Sequence, residues 1–150
     1  MKLDLSVSRL IDAPRDVVWK IATERTAEWW CPRPWTTEIV AQDLRPGGRS
    51  AMVLRGPAGE SHELEGVFLE VVPGTRFVST DAYSVGWVPR EAFMTGIWAF
   101  ADEDGKTRYT ATARHWTEEA RARHEQMGFA DGWNACAAQL AEIAEREARP

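Results

Sequence analysis

The chain has 150 residues, enough for one ordinary domain that buries a core without disulfides or metals. Its 23 acidic and 18 basic residues give a net charge of −5, which disfavours nucleic acid and anionic membrane surfaces as partners. We recognise no signal peptide and no apolar run of about 20 residues, so the sequence predicts a cytoplasmic protein without a membrane span. The eight tryptophans suit a thick core, a ligand pocket or an interface.

The N-terminal segment predicts a strand followed by two short helices. Apolar and polar side chains alternate over residues 3–11, which is typical of a half-buried strand. Pro14 suits the first turn of a helix, because the N–H that it lacks would have no helical partner there. Residues 26–30 predict a second helical turn, which ends at the proline-rich segment 31–34.

The middle of the chain predicts strands separated by turns that contain Pro and Gly. The strands are expected at 36–44, 49–55, 62–72 and 76–81, with a longer connection at 82–90. Segments 93–101 and 107–115 then form a hairpin around residues 102–106.

The C-terminal segment predicts one long helix from Thr117, a suitable N-cap, to about residue 149. Its apolar positions repeat at intervals of three and four residues. They are Phe129, Trp133, Cys136, Ala137, Leu140, Ile143 and Ala144. Gly128 and Gly132 would lie on one face of this helix, which indicates either close packing against the sheet or space for a ligand beneath.

This order of elements predicts an α+β fold. We expect a curved antiparallel sheet of about six or seven strands, two short N-terminal helices, and one long C-terminal helix over the concave face. Residues 1–150 are expected to form a single domain. Side chains or a ligand would fill the gap between the helix and the sheet.

Six short motifs follow one another along nearly the whole chain. They are IDAPRDVVW at 11–19, WW at 29–30, RPGG at 45–48, GVFLEVVP at 66–73, DGKTR at 104–108 and GFADGW at 128–133. This ordered set resembles the START-like, helix-grip (SRPBCC) superfamily, and within it proteins similar to the C-terminal domain of the activator of the heat-shock-protein ATPase. The resemblance implies a cavity between helix and sheet. It leaves the function open, because the superfamily includes lipid carriers, polyketide cyclases and co-chaperone domains.

The candidate ligand-binding residues are mostly aromatic. Those on apolar stripes or inward strand phases are expected to line a cavity, and those beside loops to rim its mouth. The set is Trp30, Trp35, Met52, Trp87, Trp98, His115, Phe129 and Trp133. No catalytic residue is assigned, and no cofactor is predicted.

The remaining reactive side chains favour structural interpretations. His62 and His124 are expected to be solvated, and with no pair of histidines at helical spacing no metal site is predicted. Cys31 and Cys136 are expected to be free thiols, the first in a Pro-rich loop where it could be exposed and the second buried. The acids and bases in strands, Glu65, Asp81 and Arg76, are expected on the outer face, although their phases are ambiguous.

Three functions are compatible with these features. The first is binding of an apolar or aromatic small molecule without chemical change. The second is an enzyme of the polyketide cyclase or dehydratase kind, with His115, Asp81 or Arg76 as the acid–base group. The third is a chaperone-interaction domain. A homodimer is permitted by the surface aromatics and is not required.

Overall fold

The computed structural model describes residues 2–150, which form nine strands and four helices. In chain order these are β1 (Asp4–Ile11), α1 (Arg15–Glu24), α2 (Thr26–Trp29), β2 (Thr36–Gln42), β3 (Arg49–Arg55), β4 (Ser61–Val72), β5 (Arg76–Thr80), β6 (Tyr83–Ser84), β7 (Val88–Pro89), β8 (Thr95–Glu103), β9 (Lys106–Arg114), α3 (Glu118–Gln126) and α4 (Phe129–Glu147).

Seven strands form one antiparallel sheet in the order β1-β9-β8-β5-β4-β3-β2, and β6 pairs with β7 in a separate hairpin. Strands β2 to β5 pair in chain order, and β8 pairs with β9, through turns at the predicted Pro and Gly positions, while β5 reaches its neighbour β8 through the segment that contains β6 and β7. The helices α1 and α2 carry the chain from β1, at one edge, to β2, at the other. The predicted α+β helix-grip fold with a seven-stranded sheet is confirmed.

The helices cover mainly one half of the sheet. Helix α4 packs on β1 and on the two N-terminal helices, while α1 contacts β8 and β9. The core between them contains Ile11, Trp29, Phe100, Tyr109 and Leu140, all of them almost completely buried. Burying one such side chain contributes about 1.5–3 kcal/mol to folding, so this half of the fold holds most of the apolar stabilisation.

The prediction of an unbroken C-terminal helix from residue 117 to about 149 is wrong in one respect. The Thr117 hydroxyl caps the segment as expected, accepting the N–H of Ala120 at 3.0 Å. The helix then ends at Gln126, and Gly128 adopts a left-handed φ of +92° before α4 begins. Only glycine takes this conformation without steric strain. Gly128 therefore separates α3 from α4 and does not lie within one continuous helix.

The other differences from prediction are small. Strand ends move by one or two residues, and Pro14 precedes α1 as its N-cap instead of lying within the first turn. The connection at 82–90 contains the two-residue strands β6 and β7. These are too short for an alternating pattern to reveal them in the sequence.

Candidate functional site

Five aromatic rings meet between α4 and the sheet, and we call them the aromatic cluster: Trp30, Phe77, Trp98, Phe129 and Trp133. Phe77, Trp98 and Trp133 form a near-parallel stack, with centroids 5.1 and 5.8 Å apart and interplanar angles of 17° and 14°. Trp30 meets Trp98 and Trp133 edge-on at 5.7 and 5.1 Å. Phe129 lies 4.6 Å from Trp133. The expectation that Trp98, Phe129 and Trp133 face inward is confirmed by their burial.

Strand β8 positions the centre of this stack. Gly96, Trp98 and Phe100 alternate on its buried face. The six-membered ring of Trp98 lies over Gly96, where a Cβ atom would come within 2.4 Å of Cη2. Gly96 therefore leaves the space in which the indole can lie flat between Phe77 and Trp133.

The rings that project from the first turns of α4, Phe129 and Trp133, pack against each other and against His124, and Trp133 also stacks on Trp98. A Cβ atom on Gly132 would meet Pro32 Cγ at 3.8 Å, an ordinary contact. Two surface clefts, of about 350 and 270 Å³, lie elsewhere, beside Arg15 and Asp102 and beside the C-terminal end of α4. Neither contains a ring of the aromatic cluster.

The half of the sheet that α4 leaves uncovered carries a row of apolar side chains. Ile39 pairs with Met52, and Met52 pairs with Leu64, so all three project from the same face of β2, β3 and β4. The row continues on the concave face because Phe68, two pairs further along β4, lies in the core. Leu64 is 44% exposed, and Ile39, Met52 and Leu54 are half-buried. We call these four residues the apolar strip.

Two predicted tryptophans border the apolar strip. Trp35 stacks on His62, which pairs with Leu54 across β3 and β4. At the same end of the strip Thr37 pairs with Leu54, and its hydroxyl donates to the carbonyl oxygen of Trp30 at 2.7 Å. Trp30 thus belongs to the aromatic cluster through its half-buried ring and is bonded to β2, beside the strip, through its backbone. His62 is exposed, as predicted.

Trp87 does not join these residues. It lies in the β6–β7 hairpin, 55% exposed, with its ring edge-on to Tyr83 and against Gly47. Its φ of +61° is unusual for a residue other than glycine. With Tyr83, Val85 and Val88 it forms an exposed apolar surface, which we call the hairpin patch.

A buried histidine pair adjoins the aromatic cluster. His115 faces inward as predicted, but the expectation that His124 is solvated is wrong: only 7% of it is exposed. His115 Nε2 lies 2.8 Å from His124 Nδ1, and His124 packs against Phe129 and Trp133. Burial, with a smaller contribution from His115, lowers the pKa of His124 to about 4. His124 is therefore neutral at pH 7.

Two buried donors have no hydrogen-bond partner within residues 2–150: the indole Nε1 of Trp98 and the hydroxyl of Tyr109. Burial raises the pKa of the Tyr109 phenol well above its usual value, so it keeps its proton. Most buried polar groups in folded proteins are paired, which makes these two exceptional.

Gln139 holds the loop that carries Trp30, a role that we did not predict from the sequence. Its amide nitrogen donates to the carbonyls of Trp29 and Cys31, and its oxygen accepts the N–H of Arg33. Cys136 adds to this by accepting the Cys31 N–H at 3.2 Å, and both thiols are free and buried. The feature of the sequence that could have indicated this role is the position of Gln139, a polar residue three positions after Cys136 on the apolar face of α4.

The charged residues Glu65, Arg76 and Asp81 form ion pairs on the outer surface or hydrogen bonds to loop backbone. Arg49 pairs with Glu65, and this contact holds the pKa of that carboxyl below its usual value. Arg76 pairs with Glu70, and the hydrogen bond between them likewise lowers the pKa of Glu70. Asp81 accepts the N–H groups of Phe93 and Met94. Each of the three ambiguous residues thus has a partner outside the aromatic cluster.

Comparison with known proteins agrees with this architecture. Residues 12–145 match the family described as Activator of Hsp90 ATPase homolog 1-like protein. The chain belongs to this family. Its START-like fold is of a kind that fits ligand binding, and the aromatic cluster lies between the helix and the sheet of this fold. A search of curated proteins finds no significant match.

Solved structures of three bacterial proteins superpose on almost the whole chain. A protein from Nitrosomonas europaea is 36% identical, with 97% of this chain and 96% of that one covered and a TM-score of 0.91. A Mycobacterium smegmatis protein is 25% identical, with coverages of 95% and 90% and a TM-score of 0.80. The AHSA1 protein from Silicibacter pomeroyi, at 18% identity, coverages of 96% and 99% and a TM-score of 0.70, shares the fold alone.

Two further features bear on the class of site. Within residues 2–150, no three His, Cys, Asp or Glu side chains converge in an arrangement that would hold a metal ion. No helix in the same range is long and apolar enough to cross a membrane.

Proposed function

We propose that this protein binds an apolar or aromatic small molecule on the concave face of its sheet, without changing it chemically. The observation that carries the proposal is the apolar strip, which lies uncovered beside the aromatic cluster. Water in contact with such a row of side chains is displaced favourably by an apolar ligand.

The two halves of the concave face have different roles in this proposal. The strip supplies an open apolar floor, while the stacked rings of Phe77, Trp98 and Trp133 form a wall that is already packed. Trp30 contacts this wall through Trp98 and Trp133 and is itself half-buried, so its ring is the part of the cluster that can turn toward a ligand. A flat molecule would therefore lie on Met52 and Leu64 with one edge against Trp30.

The family and fold support the proposal in a general way. START-like domains offer this face to ligands, and the side chains that line it determine which molecule is bound. The ligand therefore has to be sought through the chemistry of the strip and its neighbours.

N-phenyl-1-naphthylamine, an uncharged fluorescent aromatic probe, tests the proposal directly. Binding should raise the probe's fluorescence and quench tryptophan emission, with a saturating dependence on protein concentration. Leu64→Asn should weaken binding about tenfold, because it replaces an apolar contact worth roughly 1.5 kcal/mol with an amide.

Val85→Asn is the matched control. Val85 is 52% exposed, slightly more than Leu64, but it lies in the hairpin patch. The Val85→Asn substitution should leave the affinity for the probe unchanged. Loss of affinity in Val85→Asn and not in Leu64→Asn would move binding to the hairpin, and no saturable binding to the wild type would refute the proposal.

The enzymatic alternative ranks second. His115 is the inward-facing candidate, but both of its ring nitrogens already have partners, the Leu3 carbonyl and His124. Asp81 and Arg76 are engaged elsewhere as well. An acid–base role would require this pair to open.

The chaperone-interaction alternative is favoured by a separate observation, the hairpin patch. An exposed apolar surface of this kind is a feature of protein contact sites. Pull-down of an Hsp90-type ATPase by the wild type, lost in Val85→Asn, would support it.

A further inference from the structure

The buried indole N–H of Trp98 is the starting point. Trp98 is 7% exposed and its Nε1 atom has no hydrogen-bond partner among the described residues. An unpaired buried donor lowers stability, because it has lost water and gained nothing in return. Phenylalanine would fill an aromatic stack without this penalty.

The rings around Trp98 do not supply the missing acceptor. Phe77 and Trp133 lie almost parallel to the indole, so an N–H in the indole plane does not point at their faces. Trp30, at 76° to it, could offer only a weak N–H···π contact. Trp30 is also the half-buried ring of the aromatic cluster, the other four being buried, and its carbonyl is bonded to Thr37, which pairs with Leu54 of the apolar strip.

We propose that Trp98 Nε1–H is the polar anchor of the ligand site, and that the ligand is a planar aromatic molecule carrying a hydrogen-bond acceptor such as a ring ketone or quinone oxygen. This inference rests on the proposed function. A ligand on the strip reaches Trp98 when the Trp30 ring moves aside, and its acceptor then pairs the unsatisfied donor. The stacked rings favour a flat aromatic partner.

Tyr109 provides an internal comparison. Its hydroxyl is also buried and unpaired, but its ring contacts Trp29 and Phe100, and it lies near Cys136 beneath α4. It is therefore on the covered side of the core, away from the apolar strip. Tyr109→Phe removes an orphan donor of the same sheet face without touching the proposed anchor.

The experiment compares two probes of similar shape, 9-fluorenone and fluorene, which differ by a carbonyl oxygen. Their dissociation constants are measured for the wild type, Trp98→Phe and Tyr109→Phe. Wild type and Tyr109→Phe should bind fluorenone about two- to tenfold more tightly than fluorene, the range expected for one net hydrogen bond. In Trp98→Phe the ratio should fall to about one. The ratio cancels any general effect of a smaller ring on packing.

A second measurement does not depend on the variant folding. In the ¹H–¹⁵N spectrum of the wild type, the Trp98 indole signal, assigned through contacts to Gly96, should shift downfield with fluorenone and not with fluorene. Equal binding of both probes to the wild type, or a ratio lost only in Tyr109→Phe, would overturn the anchor and leave the proposed function standing. Binding of neither probe would overturn both.

Discussion

His115 and His124 are joined by a hydrogen bond of 2.8 Å between Nε2 of the first ring and Nδ1 of the second. The Leu3 carbonyl can only accept, so His115 Nδ1, 2.9 Å away, carries a proton. In neutral His115 the Nε2 atom is then the acceptor, and His124 Nδ1 donates to it. Helix α3 is thereby tied to the end of β9.

This arrangement makes stability depend on pH through His124. Its pKa is about 4 in the folded protein, against 6.5 for an ordinary histidine. The unfolded state therefore binds more protons between these values, and stability falls as the pH drops from about 6.5 toward 4. At pH 5 we expect a loss of up to about 2 kcal/mol from this group, measured by urea unfolding at pH 5 and 7.

The variant His124→Asn should remove that part of the pH dependence, because Asn can donate to His115 without titrating. His62→Asn, at an exposed position, is the control and should keep the wild-type slope. An imidazole NMR titration giving His124 a pKa near 6.5 would contradict the prediction.

The histidine pair shows where sequence reasoning ends. The order of elements could be predicted, because alternation, turn residues and the apolar stripe of α4 are local patterns. Helix α3 has no such stripe: Arg121, Arg123 and Glu125 surround His124, so nothing in the pattern indicated which side faces the protein. His115 becomes a neighbour of His124 only through tertiary packing.

In the candidate site, too, some features could be predicted from the sequence and others could not. Trp98 and Trp133 could be placed inside from periodicity, and Met52 was among the predicted ligand residues. The exposure of Leu64 and the packed state of the cluster could not be predicted, since they depend on how far α4 extends over the sheet. The unpaired state of Trp98 Nε1 is likewise a property of the assembled core.

The two glycines of the C-terminal segment should respond to alanine with opposite signs. Gly128→Ala should destabilise the protein by about 1–2 kcal/mol, because φ at that position is +92°. Gly132→Ala should stabilise it by roughly 0.5–1 kcal/mol, because alanine favours helix and the new Cβ meets only Pro32, at 3.8 Å. Urea unfolding measures both. A destabilising Gly132→Ala would indicate the close approach that the sequence left open.

Gly96→Ala should disturb the aromatic cluster from the sheet side. The added Cβ would lie 2.4 Å from Trp98 Cη2 and 3.1 Å from Met94 Cε, so the indole must move. Overpacking of this kind costs about 1–3 kcal/mol. We expect lower stability and an altered near-ultraviolet circular dichroism spectrum, which reports the stacked tryptophans. An unchanged spectrum would mean that the stack does not depend on Gly96.

Gln139 should matter more to stability than its polarity suggests. Gln139→Leu keeps much of the side-chain volume but leaves the Arg33 N–H and the carbonyls of Trp29 and Cys31 without their amide partner. Each such group costs about 1–3 kcal/mol where it is buried, so we expect a loss of roughly 3 kcal/mol in urea unfolding. The exposed Gln126→Leu is the matched control and should change stability by less than about 0.5 kcal/mol. Because Gln139 fixes the loop before Pro32, its loss should also free the Trp30 ring and alter tryptophan fluorescence. Equal stability of the two variants would show that the loop is held by packing alone.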